Sequence, residues 1–279
     1  MRFDNENQNI AWCPGCGNFA ILNALKQALE ETDYANTQTV IVSGIGQAAK
    51  TPQYLKANCF NGLHGRTLPP ATGIKASNKD LKVIATSGDG DIYGEGGNHF
   101  IHTIRRNPDI TLLVFNNMVY GLTKGQASPT SKSDLINSAQ PHGSASEPFN
   151  PIAVAIAQDI SFVARTFCQN VEFTKNIILE ALNHKGFSLV DILTPCVTFN
   201  KINTYKWFAD NTYYLQDHDT SDRIKAFEAA INTEKMALGV FFKQDKVTFE
   251  ENEANKQKTP LYKNQVNFEK LRELIDRHI

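Results

Sequence analysis

Nearly unbroken apolar runs, each stopped by a small turn cluster, constrain this chain more than any other feature. TVIVSGIG from Thr39, LKVIATSGDGD from Leu81, ITLLVFNN from Ile110, SFVARTF from Ser161 and FSLVDILTPC from Phe187 share that grammar. A strand that is apolar at successive positions is buried on both faces, which is the condition of a parallel sheet covered by helices. Helical patterns fill the intervals. NFAILNALKQALEE sets Leu22, Leu25 and Leu29 on one face, and residues 94–106 read as a helix. NPIAVAIAQ starts on a proline with Asn150 as its cap, and TKNIILEALNHKG is closed by Gly186. The expected fold is α/β, a doubly wound and mostly parallel sheet.

Two regions break the rhythm. Residues 123–149 are rich in Ser, Pro and Gly without periodicity, so they form a long loop of the kind that is usually functional or disordered. From Phe199 the text turns aromatic and polar, followed by a short helix near 221–233, a strand-like LGVFFK and a charged tail. The expected division is a main domain over 1–198 and a C-terminal extension over 199–279, packed on the domain or on a partner. A chain of 279 residues with 41% hydrophobic content can bury a full core. Its formal charge of −1, without a polybasic run, speaks against nucleic acid or an anionic membrane and leaves small molecules and other proteins as partners. Residues 1–11 are polar and no run nears the roughly 18 apolar residues of a membrane span, so a cytoplasmic location is expected.

The unusual residues gather at the strand ends. Right-handed crossovers put the carboxyl ends of parallel strands on one edge of the sheet, where α/β proteins bind ligands. That edge receives residues 44–46, Gly88-Asp89-Gly90, Asn116-Asn117 and Thr194-Pro195-Cys196. Asp89 and Asn117 end adjacent strands, and two hard oxygens so placed suit Mg²⁺ with phosphate oxygens as further ligands. Gly88 and Gly90 let the backbone approach a diphosphate closely, and the helix that follows points its N-terminal amides at the same anion.

The cysteines number 5: Cys13, Cys16, Cys59, Cys168 and Cys196. In a reducing compartment they are ligands or core residues rather than disulfides. WCPGCGN at residues 12–18 leaves open a redox dithiol, half of a zinc site or half of an iron–sulfur site. Cys168 lies in an apolar run and reads as core. His99 and His102 have no metal spacing, and Asn116 reads as structural beside Asn117.

GDG followed at twenty-five residues by NN resembles the thiamine-diphosphate-binding motif. Together with WCPGCGN, LHGR at 63–66, YGLTKGQASPT at 120–130 and the final TPC, it makes residues 11–196 resemble the β subunit of the 2-oxoacid:ferredoxin oxidoreductases. The resemblance implies a sheet of the thiamine-diphosphate-binding type that holds thiamine diphosphate, Mg²⁺ and one [4Fe–4S] cluster. It further implies a larger α (or α plus γ) subunit supplying a catalytic glutamate, ferredoxin as electron partner, and a 2-oxoacid and coenzyme A as substrates, 2-oxoglutarate before pyruvate. By the same resemblance Asp89, Asn117 and the Val119 carbonyl would hold Mg²⁺. Ile45, Gly46, Gln47, Ala48, Gly62, Leu63, His64, Gly65, Gly90, Asp91, Gly121, Leu122 and Thr123 would line the cofactor. Lys124 and His64 would be catalytic, Lys124 as the cation for a substrate carboxylate or the diphosphate. Cys13, Cys16 and Cys196 would ligate the cluster. In that family a further cysteine usually follows the Gly-Ile-Gly turn, where this chain has Gln47; either Cys59 replaces it, which is the expectation carried forward, or the cluster has an unusual fourth ligand, or no stable cluster forms. The competing readings are a non-oxidative thiamine-diphosphate lyase or synthase, and a non-catalytic CxxC electron-transfer subunit.

Overall fold

The computed structural model describes residues 1–5, 9–133, 135–137, 140–232, 234–252, 259–263 and 265–278. In chain order the elements are α1 (Asn18–Glu30), β1 (Thr39–Ser43), β2 (Asn58–Asn61), α2 (Leu68–Ser77), β3 (Lys82–Gly88), α3 (Gly97–Arg106), β4 (Ile110–Asn116) and α4 (Pro151–Ala157). They continue with β5 (Phe162–Phe167), α5 (Val171–Asn183), β6 (Ser188–Leu193), α6 (Tyr205–Asp210), β7 (Thr212–Tyr214), α7 (Arg223–Ala230), β8 (Met236–Lys243) and α8 (Phe268–Asp276). All strands join one 8-stranded sheet in the order β2-β1-β3-β4-β6-β5-β8-β7. From β2 across to β5 every neighbouring pair is parallel, whereas β8 runs antiparallel to β5 and carries β7 parallel to itself.

Side chains alternate across a strand, and the two covering layers follow from that alternation. Val40, Val42, Val83, Ala85, Leu112, Val114 and Leu189 face a layer built with Phe100 and Ile104 of α3 and Ile152 and Ile156 of α4. The residues between them, Ile41, Ile84, Leu113, Phe115, Val190 and Ile192, face the opposite layer with Ile21, Leu25 and Leu29 of α1 and Ile178 and Leu182 of α5. The mostly parallel α/β sheet expected from the apolar runs is the observed fold.

Local differences have local causes. α3 begins at Gly97 because a π-helical segment, Gly90–Glu95, intervenes after β3. α5 ends at Asn183, and Gly186 instead serves the turn into β6 at φ +116°, where a Cβ would press on Asn107 and Ser161. Asn150 caps α4 as expected, its side chain accepting from the Ala153 amide at 3.1 Å. Residues 117–149 contain no helix or strand among those described. The region after 198 does more than lie on the surface, since β8 extends the sheet beyond β5. None of the described helices is long and apolar enough to cross a membrane.

The two-sided burial makes a prediction. Leu113→Ala, at a fully buried position on central β4, should cost about 2–5 kcal/mol of unfolding free energy. Phe60→Ala, on the exposed edge strand β2 and 47% accessible, should cost less than about 1 kcal/mol. Urea unfolding of both variants measures the difference.

Candidate functional site

The parallel strands end nearly flush, with Ser43 of β1 opposite Thr86 of β3, Gly88 opposite Phe115 of β4, and Asn116 opposite Leu193 of β6. The loops leaving this edge are tied together by one carboxylate. Asp91, 2% exposed in the π-helical segment, accepts at Oδ1 from the Ile45 amide (3.1 Å), the Gly65 amide (2.8 Å) and His64 Nδ1 (2.6 Å). Its Oδ2 accepts from Thr67 Oγ1 (2.9 Å) and Ser87 Oγ (2.6 Å). The close fit fixes two glycines. A Cβ on Gly44 would stand 2.1 Å from Asp91 Oδ2, and one on Gly65, at φ +70°, would stand 2.5 Å from the Glu95 carbonyl carbon.

Asp89 faces a different set of partners. It is 2% exposed, and its Oδ2 lies 2.5 Å from Ser128 Oγ and 2.7 Å from Thr130 Oγ1, both donated by the long loop. Burial pushes its carboxyl up to about 6, opposed by the two hydroxyls and the Asn117 amide. Asn116 is buried and structural, donating to Asp191 Oδ1 at 3.1 Å. Asn117 turns the chain by accepting the Val119 amide at 3.1 Å.

These groups wall a cleft that opens to solvent. Asp89, Asn117 and Val119 line it, as do Ile45, Gly46, Gln47 and Ala48 from the β1 side. His64, Gly90, Asp91, Gly121, Leu122 and Thr123 complete the expected wall. Gly62 and Gly65 stand behind it, holding the Ser43 carbonyl (2.7 Å) and Asp91 respectively, and Leu63 is 75% exposed. Lys124 is exposed in the turn closed by Tyr120 and Gln126, at φ +76°, and lies outside the cleft wall.

Sequence reasoning passed over Tyr120, Glu95, Ser128 and Thr130. Tyr120 packs on Gly90 so closely that a Cβ there would meet its ring at 2.2 Å, and its hydroxyl donates to Glu95 Oε2 at 3.2 Å. Burial, and then the Glu95 carboxylate, push the phenol above its ordinary range. The hydroxyl pair inside QASPT and the aromatic before GLT were the available signals.

The cysteines divide by position. Cys13 and Cys16 close a turn, the Cys16 amide donating to the Cys13 carbonyl at 3.0 Å with Gly15 at φ +78°. Trp12 fixes that turn, edge-on to Tyr54 and Phe19 with its indole N–H on the Gln47 carbonyl at 2.9 Å. Burial pushes the Cys16 thiol up, and Cys196 and Cys13 are near enough to add to the shift. Cys196 Sγ lies 3.5 Å from where a Cβ on Gly121 would stand, so this group borders the cleft. Cys59 is elsewhere. It lies exposed on edge strand β2, paired with Ile41 and four strand positions from β6, whose end leads to Cys196. At about 4.8 Å per strand that is about 19 Å. Cys168 is buried against Thr194 and Tyr205, which leaves its thiol pushed up to about 12, mainly by desolvation. Among the described residues no group of three His, Cys, Asp or Glu side chains stands close enough to hold a single metal ion.

The family described as thiamine pyrophosphate enzyme, C-terminal TPP binding domain, matches residues 37–192, the span from β1 to β6. The family described as the C-terminal part of the pyruvate ferredoxin oxidoreductase beta chain matches residues 196–258. The β subunit of 2-oxoacid:ferredoxin oxidoreductase 1 of Aeropyrum pernix is 47% identical over 213 residues, which are 76% of this chain and 67% of that one. This chain belongs to the β-subunit family of the 2-oxoacid:ferredoxin oxidoreductases. The β subunit of Saccharolobus solfataricus is 40% identical over 267 residues, covering 90% of this β subunit and 87% of that one. A solved 2-oxoglutarate:ferredoxin oxidoreductase from Magnetococcus marinus, with 2-oxoglutarate, coenzyme A and succinyl-CoA bound, superposes with a TM-score of 0.91 at 33% identity. The superposition covers 98% of this β subunit and 94% of that chain.

Two outcomes test the geometry of this β subunit. Asp91→Ala strips the acceptor from the buried Ser87 hydroxyl and Gly65 amide, at about 1–3 kcal/mol each, so unfolding free energy should fall by at least about 2 kcal/mol. Denaturant titration reads it. Cys168 should react with iodoacetamide on the order of a thousandfold more slowly than Cys13 or Cys59, because its thiolate is scarce and buried. Peptide mass spectrometry over a time course gives the ratio.

Proposed function

We propose that this β subunit is the thiamine-diphosphate-binding half of an enzyme that oxidatively decarboxylates a 2-oxoacid to an acyl-CoA and passes the electrons through a [4Fe–4S] cluster to ferredoxin. The observation that carries the reading is a buried carboxylate, with no cationic partner among the described residues, in a cleft that a group of cysteines borders through Gln47 and Gly121. The groups acting on Asp89 are hydroxyls, an amide and the Asp191 carboxylate, none of them cationic. A buried carboxylate in that state fits a bound cation. Asp89, Asn117 and the Val119 carbonyl would hold Mg²⁺, with Gly90 giving close backbone approach to the diphosphate.

When bound, thiamine diphosphate supplies the electron sink for decarboxylation and the cluster a one-electron acceptor. The chain's own residues do the rest by placement. Asp91 holds His64 Nδ1, and the ring's Nε2 lies 3.3 Å from Glu95 Oε2 at the edge of the cleft, so His64 would carry a proton there. Tyr120 and Glu95 would close the wall beside Gly90. In the assembled enzyme Lys124 would offer its cation to the substrate carboxylate. Exposed Ile45, Leu63 and Leu122 beside the cleft favour cover by a larger α (or α plus γ) subunit, so activity would need that partner. Residues 1–198 would form the cofactor unit and 199–279 the extension that completes the sheet edge.

The ligands of the Magnetococcus marinus structure support 2-oxoglutarate before pyruvate. Free thiols support a cytoplasmic location. A non-oxidative lyase or synthase would have no use for Cys13, Cys16 and Cys196 together, and a non-catalytic subunit would have none for Asp89.

The test is Asp89→Asn, which keeps the volume and removes the charge. Removing a partner of a metal ligand costs 10–100-fold in affinity, so removing the charge of the ligand itself should weaken Mg²⁺-dependent thiamine diphosphate binding by at least about a hundredfold. Calorimetric titration of the folded variant measures it. Unchanged binding would refute the assignment.

A further inference from the structure

Gln47 stands where the cleft wall meets the turn of Cys13 and Cys16. Its carbonyl holds the indole of Trp12, and it shares the wall with Asn18 and with Gly121, the neighbour of Cys196. Its side-chain oxygen Oε1 is buried with no hydrogen-bond partner among the described residues. Burying an unpaired amide oxygen is unfavourable, so the position is one that a bound group should meet. The other thiols are out of play. Cys59 is on the edge strand β2, four positions from β6, whose end leads to Cys196, and Cys168 is sealed beneath Gly17, where a Cβ would stand 2.7 Å from its Sγ.

We propose that this chain holds its iron–sulfur cluster through only the thiolates of Cys13, Cys16 and Cys196, leaving the iron beside Gln47 without a thiolate and open to loss. The inference rests on the cluster reading above. A neutral amide oxygen is a hard, weak partner for iron set among soft sulfides, so Gln47 shelters that iron without anchoring it. One-electron oxidation then releases it. [4Fe–4S]²⁺ gives up Fe²⁺ and becomes [3Fe–4S]⁺, and the electron passes to the oxidant, ferricyanide becoming ferrocyanide.

The experiment uses the full chain, reconstituted without oxygen with ferrous iron and sulfide, then treated with one equivalent of ferricyanide. Iron per chain, trapped by a ferrous chelator, and the EPR spectrum are read for the natural chain, Gln47→Cys and Cys59→Ser, with circular dichroism confirming each fold. The natural chain and Cys59→Ser should drop from about four to about three irons and show the narrow signal of an oxidised three-iron cluster. Gln47→Cys should keep about four. Equal resistance of the natural chain and Gln47→Cys overturns the inference. So does a natural chain that resists while Cys59→Ser loses iron, which would make Cys59 the fourth ligand. If only Gln47→Cys takes up iron, the cluster site stands and the three-thiolate inference falls. If no protein takes up iron, the cluster reading falls with it.

Discussion

The Asp91 carboxylate is the constraint on which the cleft depends. Its two oxygens gather an amide from the loop after β1, an amide, a ring nitrogen and a hydroxyl from the segment after β2, and a hydroxyl from the end of β3. These segments are brought to one edge by the sheet, but the sheet alone does not fix how their loops lie. A carboxylate is an acceptor only, so it can serve several donors at once and convert three chain exits into one rigid wall. The π-helical segment is part of the same solution. It inserts Asp91 under the loops while leaving Asp89, two residues earlier, facing Ser128 and Thr130. Wide helical turns of this kind recur at functional sites because they re-aim side chains within an otherwise regular element.

A second chain of polar contacts runs across the sheet and anchors the long loop. Arg165 Nε pairs with Asp191 at 2.9 Å in the interior of β5 and β6, and Asp191 also accepts from Tyr93 and from Asn116. Thr130 lies 2.9 Å from Asn116 Oδ1 and 2.7 Å from Asp89. A buried ion pair contributes little net stability, because desolvation offsets the attraction. Its geometry is nevertheless demanding, and here it sets Asn116, which in turn sets the hydroxyl that meets Asp89. Residues with no secondary structure around them thereby acquire a fixed place against the carboxylate.

What was legible in the sequence follows from these forces. The strands from β3 to β6, together with β1, could be read because two-sided burial forces continuous apolar text. β2 could not, since NCFN is exposed at the edge and carries no such pattern. α2, written LPPATGIKAS, hides behind prolines and a glycine that dilute its period, yet its Pro-bearing start is a permitted helix entry. Asp89 and Asn117 were readable because they end adjacent strands. Ser128 and Thr130 were not, because their role arises only when a loop of no intrinsic structure is drawn onto Asp89. Cys59 was expected to return toward the other cysteines with the strand that carries it; β2 pairs on the outer side of β1, four positions from β6, whose end leads to Cys196.

The cleft is polar in depth and apolar outside. Asp89 and Asp91 are buried within it, whereas Ile45, Leu63 and Leu122 lie uncovered beside it. Exposed apolar side chains around a charged pocket gain when another surface excludes water from them, and every electrostatic interaction beneath strengthens as the water leaves. The turn of Cys13 and Cys16 and the Cys196 thiol border the same cleft, since Gln47 and Gly121 belong to both. A chain seated there would therefore enclose the carboxylates and restrict access to the thiols in one step. On the proposed reading, retention of the cofactor and protection of the cluster would be two consequences of the same contact.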